Sequence, residues 1–278
     1  MVEFGTSGVS EWMKDAKLTY KDVVKELNRL GLKCFEYPFT HGTNITESKC
    51  AEIGEIFKSG DIKLSVHAPY FINLASPDDT QIQKSFVYIY ESMRKAKIMG
   101  ADRVVFHPGS LTSQTREVAF NNVYENLKKF IASIDEDENV SGVYICPETM
   151  GKHGQIGTVD EILKLCTLSD KVIPTLDFGH INAFTGGGIN SVESYIEILN
   201  KYICDKNNIQ IHFSKIQYGA KGEIKHLTFD TDIANFGPDP TQLVYALKGF
   251  DENNIRVICE SDGTQDKDAK FMLDIFKK

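Results

Sequence analysis

Short β-branched and aromatic runs alternate along this chain with longer stretches in which apolar residues recur every three to four positions. Residues 2–5, 32–37, 62–67, 103–107, 142–147, 172–177, 209–213 and 255–260 each read as a buried parallel strand. Between them, Ile82, Phe86, Ile89, Met93 and Ala96 line one face of a helix, and Val123, Leu127, Phe130, Ile131 and Ile134 line another. Thr158-Val-Asp-Glu161 has the form of a capping box, and Asp239-Pro240 sets a capping carboxylate before a proline at the first helical position. Eight strand-then-helix units in 278 residues predict an α/β protein, a single (β/α)₈ TIM barrel over residues 1–278, rather than an open doubly wound sheet. No long Gly/Ser/Pro linker divides the pattern. Residues 179–190, with Gly186-Gly-Gly188, and residues 214–237 read as long loops leaving the sixth and seventh strands. Such loops sit on the face of a barrel that carries function.

Composition narrows the class without changing the picture. Hydrophobic residues at 41% and charged residues at 25% are the balance of an ordinary soluble domain, not of a disordered or fibrous chain. The cysteines (Cys34, Cys50, Cys146, Cys166, Cys204, Cys259) form no Cys-x-x-Cys pair, so neither a thiolate zinc site nor a disulfide framework is indicated. Reduced thiols, an N-terminus that runs directly into strand sequence and no apolar run of membrane-spanning length together predict a cytoplasmic protein with no membrane association. A monomer is expected. The net charge of −8 provides no overall attraction to nucleic acid, but it omits any bound cations, so DNA is not excluded.

The chemistry lies at the strand ends. His67 ends the third strand, His107 the fourth, Glu148 follows the fifth, Asp177 ends the sixth, His212 lies at the end of the seventh and Glu260 ends the eighth. In a barrel that rim converges on the axis, so these six side chains meet although they are far apart in sequence. Three imidazoles and three carboxylates suit zinc or manganese, whereas an all-oxygen set would indicate magnesium or calcium. His180, three residues beyond Asp177, and His226, after the seventh strand, extend the set, and more than four ligands imply more than one ion. His41 and His153 read as solvent-facing.

These residues resemble a known family, the endonuclease IV family of apurinic/apyrimidinic endonucleases. Val66-His-Ala-Pro-Tyr-Phe-Ile-Asn-Leu-Ala-Ser-Pro77 matches the family's third-strand motif except at Phe71. Phe106-His-Pro-Gly109, Glu148-Thr149, Asp177-Phe-Gly-His180 with Ala183, His212 and Glu260 follow in the family's order. The resemblance implies two or three zinc ions, manganese being the substitute. His67, His107 and Glu148 would hold the first, Glu148 would bridge to a second held by Asp177, His212 and Glu260, and His180 and His226 would belong to a third. It also implies hydrolysis of duplex DNA 5′ to an abasic site in base excision repair, by a metal-activated hydroxide rather than a protein nucleophile.

Three positions depart from the family pattern. Ile224 stands where the third site has an aspartate; the adjacent Glu223 is the candidate substitute, although by period it points elsewhere if the segment is extended. The Asp-Ser-Lys stretch after the seventh strand is reduced to His212-Phe-Ser-Lys215, and the loop spanning residues 39–44 lacks the arginine that enters the duplex. Tyr70 and Phe71 are candidates for that wedge. Lys215, together with Lys152, Lys221 and Lys225, is a candidate for phosphate contact. The rival reading is a sugar isomerase or epimerase of the same superfamily, with one divalent ion on Glu148, Asp177, His212 and Glu260. That reading leaves His67 and His107 without a role.

Overall fold

A computed structural model describes residues 1–40, 42–203, 208–231 and 236–278; His41 and Cys204 lie outside the described residues. Eight parallel strands form the central sheet: β1 (Val2–Ser7), β2 (Cys34–Pro38), β3 (Lys63–His67), β4 (Arg103–Phe106), β5 (Tyr144–Pro147), β6 (Thr175–Asp177), β7 (Asn208–Phe213) and β8 (Asn254–Cys259). Their order is β5-β4-β3-β2-β1-β8-β7-β6. The two ends meet through parallel bridges Ile145–Val172 and Glu148–Thr175, which close the barrel. The regular part of β6 is shorter than the predicted 172–177. Pro174, at that junction, has no N–H to donate to a neighbouring ladder.

Alternation along the strands separates two interiors. Phe4, Phe35, Leu64, Val66, Val104, Phe106, Leu176, Ile211 and Val257 pack into one core with the helices. The helical faces behave as expected: Ile82, Ile89, Met93 and Ala96 of helix Asp79–Met99 and Val123, Leu127, Phe130 and Ile131 of helix Arg116–Ser133 are buried. Thr158 and Glu161 form the capping box, and Asp239 caps Pro240–Leu247. The other set of strand residues is strongly polar. Glu36, Ser65, Arg103 and Gln210 are buried and hydrogen-bonded to one another across the barrel.

Both predicted loops contain ordered structure. Residues 179–190 do not leave β6 as a loop: helix Phe178–Phe184 begins at once, because the Asp177 side chain accepts from the His180 amide at 2.7 Å and caps it. The 214–237 segment contains an antiparallel hairpin, Lys215–Gly219 with Gly222–Leu227. No helix among the described residues is long and apolar enough to cross a membrane.

Candidate metal centre

Each predicted ligand arrives at the same rim because each is at, or one residue from, the end of its strand. His67 and Asp177 are the last residues of β3 and β6, His212 is the penultimate residue of β7, and His107, Glu148 and Glu260 follow β4, β5 and β8 directly. Glu148 is the centre. Its Oε2 lies 3.3 Å from both His67 Nε2 and His107 Nε2, while its Oε1 lies 3.2 Å from His212 Nδ1 and 3.4 Å from His180 Nδ1. One carboxylate therefore faces two groups of donors with its two oxygens.

Among the described residues the donor atoms sort into three groups that could each hold a metal ion: His67, His107 and Glu148; Glu148, Asp177, His212 and Glu260; and His180, Glu223 and His226. Within each group the ligand atoms lie within 4.8 Å of one another. The donor chemistry fits a cation. Asp177 Oδ2 is buried without a hydrogen bond amid imidazoles, an arrangement that is costly unless a positive charge satisfies it.

The charges are strongly coupled. Burial pushes the Glu148 carboxyl up, but His212, His107 and His180 around it prevail and hold it well below the usual carboxylate range. Burial also dominates at Asp177, which rises to about 6, with Glu148 and Glu260 adding to the rise and His180 opposing it. At His67 burial favours the neutral ring, yet Glu148, Glu36 and Glu260 outweigh it and raise the group to about 9. His180 and His212 are raised for the same reason, while at His107 burial prevails and lowers it. Several acids and imidazoles compete here for the same space and protons, and a cation at any of the three groups would displace protons from them.

Backbone partners fix which nitrogen faces the centre. His67 Nδ1 lies 2.8 Å from Ala68 O and His180 Nδ1 2.9 Å from Thr149 O, so each presents Nε2 to its group. His226 Nδ1 is occupied by Ser214 Oγ at 2.9 Å and Glu260 O at 3.2 Å. His212 runs the other way, with Nδ1 toward Glu148 and Glu260 and Nε2 toward Glu36.

The third group corrects the expectation for Glu223. It does face His180, with Oε2 3.4 Å from Nε2, while Ile224 is exposed. The hairpin register explains this: Tyr218 pairs with Glu223 but Gln217 with Lys225, so Ile224 is an extra, unpaired residue. A bulge of one residue reverses side-chain parity, bringing Glu223 and His226, three apart, to one side. Gly222 pins the hairpin in place. With φ of +88°, it comes so close to the loop after β5 that an added Cβ would lie 2.1 Å from Gly151 O, and Glu223 N donates to that same oxygen at 2.9 Å.

The substrate-contact candidates separate. Tyr70 is exposed over the site, its ring 5.4 Å from that of His107 and 5.7 Å from that of His67, and Phe71 is exposed beside it. Lys215 is not available for phosphate contact: it is buried, and its ammonium donates to the carbonyls of Phe229 and Thr231, where it holds the following segment down. His153 is exposed, as expected. Sequence reading turns Glu223 away, because its parity depends on the bulge, and misses Glu36, a carboxylate inside a strand otherwise read as apolar.

Residues 24–277 match the xylose isomerase-like TIM barrel family. The chain belongs to that family. Within it, the chain is 35% identical over 94% of its length to MJ0133 of Methanocaldococcus jannaschii, an uncharacterized protein of which it covers 92%. It is a divergent relative of the endonuclease 4 proteins: it is 31% identical to the probable endonuclease 4 of Malacoplasma penetrans over 50% of this chain, and that match spans 47% of the other protein. Among solved structures, endonuclease IV from Thermus thermophilus superposes with a TM-score of 0.67 at 16% identity, covering 99% of this chain and 97% of that one. A D-tagatose 3-epimerase-like protein superposes at 0.72 and 19% identity, covering 99% and 98%. At those identities the likeness is one of fold, shared by nuclease and epimerase alike.

Proposed function

We propose that this protein is a metal-dependent phosphodiesterase of the endonuclease IV kind, acting on duplex DNA at abasic sites. The observation that carries this reading is the sharing of Glu148: its Oε2 faces His67 and His107 while its Oε1 faces His212. A one-ion epimerase needs only Glu148, Asp177, His212 and Glu260, and would leave His67 and His107 unexplained. Paired divalent ions, zinc or manganese by the donor set, would supply charge neutralisation and an activated water for in-line displacement at phosphorus.

The chain's own residues do the rest. Glu148 holds the two groups together, and His67 and His107 close one side of an open cavity of about 550 Å³ that also admits Tyr70, Lys152 and Asp262. Tyr70 offers a ring face at the mouth for an extruded base or sugar. Ser7, Tyr70 and Gln265 also line an adjoining trough of about 1070 Å³, which Lys14, Lys17 and Lys21 border together with Lys49, the last paired with Glu52 at 2.8 Å. Cationic side chains beside the cavity favour a polyanion over a neutral sugar, despite the net negative charge of the chain.

The test pairs elemental analysis of the purified protein with a nicking assay on a duplex carrying one abasic site. Two or three ions per chain and a nick 5′ to the lesion, leaving a 3′ hydroxyl, are expected. One ion per chain, no nicking and turnover of a ketose would establish the epimerase reading instead.

A further inference from the structure

We infer that Glu36 is a positioning residue for the metal centre, holding His212 in the tautomer that presents Nδ1 to the ions. This rests on the reading that His212 is a metal ligand, and holds for a nuclease and an epimerase alike. His67 and His180 are oriented by backbone carbonyls and His226 by a hydroxyl and a carbonyl. His212 instead has a side-chain carboxylate behind it: both oxygens of the buried Glu36 lie 3.1 Å from its Nε2. A carboxylate there accepts the Nε2 proton, leaving the Nδ1 lone pair to face Glu148 and Glu260 at 3.2 and 3.4 Å.

The barrel interior holds that arrangement in one direction. Arg103, fully buried, donates from Nη1 to Ile209 O at 2.8 Å and to Gln210 Oε1 at 3.1 Å. A guanidinium has no acceptor, so the Gln210 amide cannot turn its NH₂ toward Arg103. Its Nε2 must point to Glu36, donating to Oε2 at 2.9 Å, while Ser65 Oγ donates to the same oxygen at 3.0 Å. The polar column thus runs from Arg103 through Gln210 to Glu36, whose carboxylate accepts from Gln210 on one side and from His212 on the other.

Two substitutions test this column. Gln210 and Ser65 demand an oxygen at the Oε2 position, and His212 Nε2 is hydrogen-bonded to that same oxygen, so Glu36→Gln keeps the acceptor behind His212, whereas Glu36→Leu removes it. Zinc is titrated into ¹⁵N-histidine protein, and long-range ¹H–¹⁵N correlations read each imidazole tautomer while competition with a chelator reads each affinity. In the parent protein His212 is expected to carry its proton on Nε2 and to bind zinc through Nδ1, and Glu36→Gln keeps that tautomer. In Glu36→Leu the preference is lost and one ion binds about 10–100-fold more weakly, the cost typical of losing such a partner, while the ion on His67 and His107 is retained. Zinc bound through His212 Nε2 in the parent overturns the inference, as does a Glu36→Leu protein with unchanged tautomer and affinities. A parent that shows the expected tautomer and ion content but nicks no DNA overturns the proposed activity and leaves this inference standing. A parent that takes up no zinc overturns both.

Discussion

Glu148 and the imidazoles around it set the predictions that belong to single residues. Because its two oxygens face different donor groups, Glu148→Ala should lose two ions per chain, whereas His107→Ala should lose one and leave Asp177, His212 and Glu260 with Glu148. Metal counting on the two purified variants measures this directly; equal losses would mean that Glu148 is not shared. His107→Ala should also abolish phosphodiester cleavage, a change that an epimerase using only the four-residue group would tolerate. The same cluster predicts a pH dependence for the metal-free protein. His67 is raised to about 9, so its charge adds stability fully below the unfolded value of about 6.5, and that contribution is lost as pH rises through 9. His180 and His212 act in the same direction, and Glu148, held well below the usual range, stays charged across this window. The melting temperature of chelator-treated protein should therefore fall between pH 6.5 and 9. Zinc displaces these protons, so adding it should reverse the slope; a metal-free midpoint that rises with pH would contradict this arrangement of charges.

Elements decide where the third group of ligands goes. The hairpin Lys215–Gly219 with Gly222–Leu227 presents Glu223 and His226 together because Ile224 is unpaired, and the hairpin is seated because Gly222 admits the Gly151 carbonyl. Gly222→Ala combines a left-handed backbone with a clash that cannot be accommodated. It should cost about 1–3 kcal/mol in urea denaturation and shift Glu223 away from His180. Deleting Ile224 should leave Glu223 and His226 two apart, on one side by regular alternation, so the ion content should not change, whereas Glu223→Ala should lower it by one without disturbing the barrel. Retention of every ion in Glu223→Ala would show that Glu223 is no ligand. Helix Phe178–Phe184 plays a comparable part on the other side. Its capping by Asp177 brings His180 over the rim, so one aspartate both starts the helix and supplies an oxygen to the second group.

At the scale of the whole molecule, barrel closure brings six strand ends together and places the lysine-bordered trough beside them. Lys14, Lys17 and Lys21 are exposed and belong to none of the three candidate ligand groups. Replacing all three by Ala should leave metal content unchanged but weaken DNA binding and reduce the slope of log K against log salt by up to roughly 2.7, at ~0.9 for each phosphate no longer neutralised. Fluorescence anisotropy over a salt series measures this; an unchanged slope would remove the trough from the DNA path. Much of this architecture is written locally. Short β-branched and aromatic runs that alternate with helical apolar faces declare eight strand-helix units, and His67, His107, Glu148, Asp177, His212 and Glu260 fall at strand ends whatever the details of packing. A closed parallel barrel then leaves them only one rim to share. What tertiary structure decided are the features that depend on a partner remote in sequence. Glu223 faces His180 and His226 because a bulge, defined only by pairing with residues 217 and 218, reverses its side. Lys215 is buried because a later segment folds over it. Glu36 backs His212 because closure makes the inward face of β2 and the inward face of β7 neighbours across the axis, and no period within either strand reports that contact.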